Sequence, residues 1–175
     1  PTCRERVSCS FGNGFYLQGD RSSSWTRSMK IKGQQTLTTP REQVWEALLD
    51  PGVLARALPG CQALDPVGEN HYKIRMKLAL AAVQGLFEGK ILLQDVQPPN
   101  NYKLHIEGAG KVGFVNGEGH FHLEKLSDVE TVVHYEGDVR IGGMIASVGQ
   151  RLMDMTSKMM IRKFFASLKE ILSEQ

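Results

Sequence analysis

The feature that most constrains the fold is a change of hydrophobic period after the Gly142-Gly143 pair. Before it, apolar residues alternate with polar ones, as Tyr102, Leu104 and Ile106 do, which is typical of strands with one solvated face. After it, apolar residues recur at helical spacing from Ile145 to Ile171, with one wider step. The pattern predicts antiparallel strands followed by one helix of roughly 29 residues and roughly 44 Å.

Shorter elements are expected near the start. Residues 29–37 alternate as a strand, and Thr39 is expected to cap a helix whose first residue is Pro40. That helix should end at Asp50-Pro51 and a second one at Pro59-Gly60. The predicted fold is α+β: a curved antiparallel sheet of six or seven strands around a long C-terminal helix, with two short helices after the first strand.

The chain of 175 residues is long enough for one ordinary core. Residues 1–28 show no sustained period, and Met29 opens the first strand pattern. We therefore expect a single domain over residues 29–175, preceded by a disordered leader. Two origins of the leader stay open: vector-derived or upstream-translated sequence, and a native extension that is disordered or binds a partner.

Charge and composition narrow the function classes. The chain has 21 Lys+Arg against 19 Asp+Glu, and the excess lies in residues 1–28, so the rest is balanced. A balanced domain without a basic run is not expected to bind nucleic acid. The sequence has no apolar run of membrane-spanning or signal-peptide type, and its three cysteines do not suggest a disulfide framework. We expect a cytoplasmic protein with reduced thiols, among them an unreactive Cys61.

A curved sheet meets a single helix along a line, so the space at the ends of the groove is either filled or left open. Beside its apolar stripe the last helix presents a second row: Gly149, Met153, Thr156 and Met160. Small residues and adaptable methionines suit a surface that accommodates an apolar guest. Methionines also fill irregular cores, and the spacing does not decide between these interpretations.

An ordered set of motifs carries a family resemblance. It runs from Val44-Trp45 through Leu48-Leu49-Asp50-Pro51 to Leu58-Pro59-Gly60-Cys61. Later members are Gly85 and Gly89 around Phe87, Pro98-Pro99 before Tyr102, Gly110 to Phe114, Gly117, Tyr135, and Gly142-Gly143 leading into Gly149-Gln150-Arg151. Over residues 29–172 the sequence resembles the carbon monoxide dehydrogenase G-subunit family of the START-like (SRPBCC), helix-grip superfamily.

The resemblance implies an accessory protein for a molybdenum-containing carbon monoxide dehydrogenase or a related oxidoreductase, linking that enzyme to the membrane or its quinone pool. Such a protein needs an apolar cavity for a quinone or lipid and a docking surface, and it needs no catalytic group, cofactor or metal. The residues expected to bind the ligand are Trp45, Leu58, Met76, Phe87, Phe114, Tyr135, Leu152, Thr156 and Met160.

Two other functions stay open: a protein-docking module without a ligand, and a cyclase or hydrolase of the same fold. A groove filled by Met and Phe would favour the first, and a buried charged residue facing the cavity would favour the second. Gln35, Tyr135 and Thr156 are the main polar residues expected to face inward. They either orient a carbonyl or hydroxyl of the guest or are satisfied core groups.

Three histidines form a conditional metal site. If Phe121 pairs with Tyr135, His122 lies opposite His134, and if Leu104 pairs with Leu123, His105 joins them in a row. Such a row suits a divalent metal, whereas any other register leaves solvated imidazoles.

Two further features are a basic edge on the last helix and a series of glycines. Lys158, Arg162, Lys163 and Lys169 form a basic edge on the last helix, either solvated or facing an acidic partner or anionic lipids at a peripheral membrane contact. The glycines between Gly108 and Gly119 are expected to mark strand-end bulges.

Overall fold

The computed structural model describes residues 26–80 and 83–174. One antiparallel sheet has the order β1-β7-β6-β5-β4-β3-β2. Its strands are β1 (Thr26–Leu37), β2 (Cys61–Gly68), β3 (His71–Leu80), β4 (Val83–Gln97), β5 (Asn101–Gly110), β6 (Gly113–Ser127) and β7 (Glu130–Gly142). The helices are α1 (Arg41–Leu49), α2 (Pro51–Ala57) and α3 (Gln150–Ser173), and a short 3-10 helix covers Met144–Val148.

This architecture confirms the predicted fold class, with a curved seven-stranded sheet against a C-terminal helix. The strand that alternation did not reveal is β2, which lies at the sheet edge and pairs with β3 through two register shifts. Pro66 stands within it, and a proline is tolerated at an edge because its missing amide costs no ladder bond there. The first 25 residues of the expected leader lie outside the described residues, and β1 begins at Thr26.

The start of α1 differs from the prediction. Thr39 does not cap the helix, which has Pro40 at its N-cap and no side-chain cap bond. Thr39 is buried instead, and its carbonyl accepts a hydrogen bond of 2.8 Å from Thr131 Oγ1 on β7. The carboxylate that caps a helix is that of Asp50, whose Oδ1 accepts from the backbone amides of Gly52 and Val53 at 2.7 and 3.0 Å.

The C-terminal helix is shorter than predicted, with 24 residues in α3. Gly149 has a φ of 88°, a left-handed conformation that interrupts the helical path, so Ile145 and Val148 belong to the 3-10 helix before it. The predicted stripe therefore crossed a break in the helix.

The face that α3 buries also changes along its length. Leu168 and Ile171 are buried as the stripe predicted, but Met155 and Met159 are 66% and 41% exposed. The row that faces the sheet in the first half of α3 is the second one: Met153, Thr156 and Met160. This change of face coincides with the wider step in the predicted stripe. Five helical residues turn by about 500°, well past the 360° of a full turn, so the residues before and after this step lie on different faces of the helix.

Candidate ligand-binding cavity

An apolar cavity of about 430 Å³ lies between the concave face of the sheet and α3. Most of its wall consists of aliphatic and aromatic side chains from β3 to β7 and from α3, and Leu48, Leu54 and Leu58 border it from α1, α2 and the turn after α2. Cavities of roughly 300–1,000 Å³ with apolar walls are typical of small-molecule sites. The sequence did not decide whether side chains fill the groove between the sheet and the last helix, and in the structure they leave it open.

Glycines on the concave face make this space. Gly89, Gly108, Gly117, Gly119 and Gly137 all border the cavity. Gly89 pairs with Gly108 and Gly119 with Gly137, so side chains are missing from neighbouring strands. The expectation of strand-end bulges was wrong for Gly108, Gly117 and Gly119, because the β5–β6 register is continuous through them.

Six of the nine residues expected to bind the ligand border the cavity: Leu58, Met76, Phe87, Tyr135, Thr156 and Met160. They come from four parts of the fold, namely the turn after α2, strands β3 and β4, strand β7, and α3. That these residues bind a ligand is a proposal.

The other three lie elsewhere, each for a local reason. Trp45 is in the core at 7% exposure and contacts the ring of Tyr102, and of these two residues Tyr102 borders the cavity. Phe114 takes the parity of His122 on β6, opposite to Phe121, so its side chain lies on the convex face against Gly142. Leu152 is half-buried beside Met153, which faces inward in its place.

The hydroxyls of α3 that border the cavity bond to their own helix. Thr156 Oγ1 donates to the Leu152 carbonyl at 2.8 Å, and Ser157 Oγ donates to the Met153 carbonyl at 2.9 Å. Gln35, expected to face inward, is exposed and does not border the cavity.

Three acidic residues border the cavity without directing charge into it. Glu107, Glu118 and Glu136 are exposed and each adjoins a glycine of the wall, so their backbone forms part of the surface. Their carboxylates pair elsewhere: Glu107 and Glu118 lie 3.2 and 3.5 Å from the imidazole of His105, and Glu136 lies 3.7 Å from Lys32 Nζ. In the described part of the chain no charged side chain is buried, and the buried hydroxyls are those of Thr39, Thr131 and Tyr102.

Tyrosine hydroxyls supply the remaining polarity. Tyr72 donates to the Leu49 carbonyl at 3.5 Å. The Tyr135 hydroxyl instead occupies the space that a side chain at Gly33 would fill. Burial raises the pKa of Tyr135, and burial raises that of Tyr102 further. Both stay protonated at neutral pH. Sequence reasoning did not select Tyr102 for the cavity, although its parity with Leu104 and Ile106 signals the inward face.

The three-histidine row does not form. Phe121 does pair with Tyr135, and the rings of His122 and His134 lie 6.0 Å apart, as predicted. Leu104, however, pairs with Gly119, which puts His105 opposite Glu118 and moves it four residues, or about 13 Å, along the strand. Among the described residues no group of three potential ligands is placed to hold a metal ion.

Cys61 is half-buried on β2, and its Sγ lies 3.5 Å from the Ala63 carbonyl. Burial is the main cause that raises the pKa of this thiol above its usual value. A raised pKa lowers the thiolate fraction at neutral pH, in line with the unreactive thiol expected.

The solvent face of α3 combines apolar and basic side chains. Met155 and Met159 lie among the exposed Arg151, Lys158 and Arg162. Within the two described ranges no helix has both the length and the apolar character needed to cross a bilayer.

A curved antiparallel sheet that closes an apolar cavity with its C-terminal helix defines the START-like class. A START superfamily protein from Mycobacterium smegmatis superposes with a TM-score of 0.62 and 10% identity, covering 83% of this chain and 97% of that one. The Zhui aromatase/cyclase from Streptomyces sp. R1128 does so at 0.57 and 17%, covering 85% and 93%. At these identities the likeness concerns the fold.

A family model then places the chain within the class. The model of the carbon monoxide dehydrogenase G subunit (CoxG) matches residues 33–173, and the chain belongs to this family. A conserved protein from Geobacillus kaustophilus is 34% identical, with a TM-score of 0.80 over 83% of this chain and 96% of that one. No curated protein matches the chain.

Proposed function

We propose that this protein binds an apolar small molecule, a quinone or a lipid, in the cavity under α3. We further propose that it serves as an accessory or carrier for a molybdenum-containing carbon monoxide dehydrogenase or a related oxidoreductase. The observation that carries the proposal is the open, almost wholly apolar cavity of about 430 Å³. The family name supports the choice of oxidoreductase partner.

The wall of the cavity favours a ligand over the two alternative functions. A docking module would gain stability from a filled core, yet glycines stand at the centre of the concave face. An enzyme of this fold would need an acid, a base or a nucleophile within reach of its substrate. The charged groups at the wall point outward, and the α3 hydroxyls are bonded to their own helix.

The ligand contacts we propose are the six predicted residues that border the cavity: Leu58, Met76, Phe87, Tyr135, Thr156 and Met160. Met76, Phe87 and Met160 provide adaptable or flat apolar surface, which suits ligands of varied tail length.

Delivery to or from a bilayer requires a peripheral membrane contact, and we propose the solvent face of α3 for it, at the cytoplasmic surface. The exposed Met155 and Met159 can enter the apolar region of a leaflet, while Arg151, Lys158 and Arg162 suit anionic headgroups. This arrangement would place the helix that covers the cavity against the lipid.

Gly119→Leu tests the cavity. A Cβ at Gly119 would meet its nearest atoms at 3.6–4.0 Å, so a leucine fits the strand and projects into the free space. The wild-type protein should bind 2-methyl-1,4-naphthoquinone with a rise in thermal unfolding midpoint, and native mass spectrometry of protein from its own host should show a co-purified apolar molecule. Gly119→Leu should lose both signals.

His120→Leu is the matched control, since it adds the same side chain one residue further on the convex face. It should bind as the wild type does. The proposal would be contradicted if the wild type neither binds the quinone nor carries an apolar molecule, or if Gly119→Leu binds as well as His120→Leu.

A further inference from the structure

The cavity has two chemically different ends. At one end the ring of Tyr102 stacks on Phe121 with 5.0 Å between centroids and 7° between planes, and Tyr135 stacks on Phe165 at 5.4 Å. All four rings border the cavity. This end is therefore a set of flat surfaces that suits a planar, conjugated group.

The opposite end is mainly aliphatic. It belongs to a second, smaller core cluster in which Phe87 is the one aromatic ring beside Ile141, Ile145 and Met153, and Met29, Leu78 and Val139 pack against it. These side chains also border the cavity. Flexible and branched aliphatic groups suit a hydrocarbon chain.

Two tyrosine hydroxyls belong to the aromatic end, and that of Tyr102 is on the more deeply buried side chain. The side chain is 4% exposed, and its oxygen has no hydrogen-bond partner among the described residues. The oxygen is nevertheless not sealed by protein, unlike Arg41 Nε, the enclosed unpaired atom of the described ranges. Tyr102 borders the cavity, so its side chain is within reach of a ligand bound there.

Most other hydroxyls at the wall are already engaged, and that of Tyr135 belongs to a half-buried side chain and lies against Gly33. Those of Tyr72, Thr156 and Ser157 each donate to a backbone carbonyl. A buried hydroxyl without a partner is unfavourable, so a ligand oxygen at Tyr102 would gain a bond that a purely hydrocarbon guest leaves unmade.

We infer that the Tyr102 hydroxyl binds the oxygen of a planar, conjugated head group, a ring carbonyl or ring hydroxyl, while the apolar remainder of the ligand extends toward Met153. The inference rests on the proposed function and adds to it the orientation of the ligand and the chemistry of its head. Since burial raises the pKa of Tyr102, the phenol stays protonated and can donate to a carbonyl or accept from a hydroxyl.

The test compares two probes of nearly equal shape, 2-naphthol and 2-methylnaphthalene, by calorimetric titration. Tyr102→Phe should weaken the binding of 2-naphthol about tenfold, which is the range of one net hydrogen bond. It should change the affinity for 2-methylnaphthalene less than about twofold. Comparing the change in affinity for one probe with the change for the other cancels the general effect of the substitution on the cavity. Tyr135→Phe, which removes the other hydroxyl near the wall, is the control and should change both probes alike.

A second measurement uses the wild-type protein alone. With ¹³C at the hydroxyl-bearing ring carbon of tyrosine, the Tyr102 signal should shift more with 2-naphthol than with 2-methylnaphthalene.

The outcomes separate the two proposals. If both probes bind and Tyr102→Phe weakens them equally, or if the selective loss appears in Tyr135→Phe, the assignment of Tyr102 is overturned and the binding cavity stands. If the wild type binds neither probe and carries no apolar molecule from its host, the proposed function fails and this inference fails with it.

Discussion

At the scale of single residues, Thr131 joins two distant parts of the chain. Its side chain is fully buried on β7, and its hydroxyl bonds the Thr39 carbonyl just before α1. The bond satisfies a buried carbonyl that the first turn of the helix leaves free, in a place where water has no access. One side chain thus ties the helical layer to the sheet.

Replacing Thr131 with valine should destabilise the protein by about 1–3 kcal/mol, because the Thr39 carbonyl would stay buried without its partner. Urea unfolding should show a lower midpoint and an unchanged slope. Thr131→Ser keeps the hydroxyl, loses one methyl group, and should cost about 1 kcal/mol. A Thr131→Val protein as stable as the wild type would show that the bond contributes nothing.

Residue-level predictions succeeded where strand parity alone decides the direction of a side chain. The charged residues on β5, β6 and β7 point outward as alternation predicts, with Glu107, Glu118 and Glu136 as examples beside the cavity. Thr39 is a different case. A threonine just before a helix suits an N-cap, but the hydrogen bond with Thr131 holds Thr39 in the core instead. That hydrogen bond joins residues 92 positions apart and leaves no local signal.

At the scale of elements, the two short helices depend on their junction. Asp50 ends α1 and caps α2, and its carboxylate accepts from the amides of Gly52 and Val53. Pro51 begins α2, where its lack of an amide hydrogen is harmless. This junction positions Leu54 and Leu58 against the cavity.

Asp50→Ala should lower the free energy of unfolding by about 1 kcal/mol, because two amides of the first turn lose their acceptor. Asp50→Asn keeps a side-chain oxygen at the same place and should lose only a few tenths of that. Chemical denaturation of the two variants measures the difference. Equal losses would mean that the carboxylate acts through its charge and not as a cap.

The register of strands and the rotation of helices depend on contacts that local period does not contain. The pairing of β6 with β7 was predicted correctly from Phe121 and Tyr135, which match across a short connection. The pairing of β5 with β6 was wrong because Leu104 lies opposite Gly119, not another large apolar residue. A rule that matches apolar with apolar residues fails where the sheet leaves room for a cavity.

At the scale of the whole molecule, α3 separates two environments. Its inward row covers the cavity, and its solvent face carries Met155 and Met159 among basic side chains. In the described ranges the neighbouring acid on this face is Asp154, which accepts from Gln150 at 2.9 Å. A basic face with exposed methionines favours an anionic surface as its partner.

The wild-type protein should co-sediment with vesicles that contain phosphatidylglycerol more than with pure phosphatidylcholine vesicles, and less so at high salt. Lys158→Glu should weaken the binding at least about fivefold, since each basic residue near an anionic surface contributes about 1 kcal/mol. Lys90→Glu makes the same charge change on the exposed side of β4 and should have little effect. Equal sedimentation of the two variants would exclude this face of α3.

The sequence by itself determined the class of most elements, which strand faces are solvated, and the family to which the chain belongs. These follow from local geometry, because the periods of 2 and 3.6 are properties of the backbone, and from motifs read in order. Only the tertiary structure decided that Tyr102 and Thr156 face one cavity, that Phe114 lies outside it, and that His105 stands apart. The physical reason is that register, helix rotation and empty volume arise from contacts between residues far apart in the chain, where a glycine matters through the side chain it lacks.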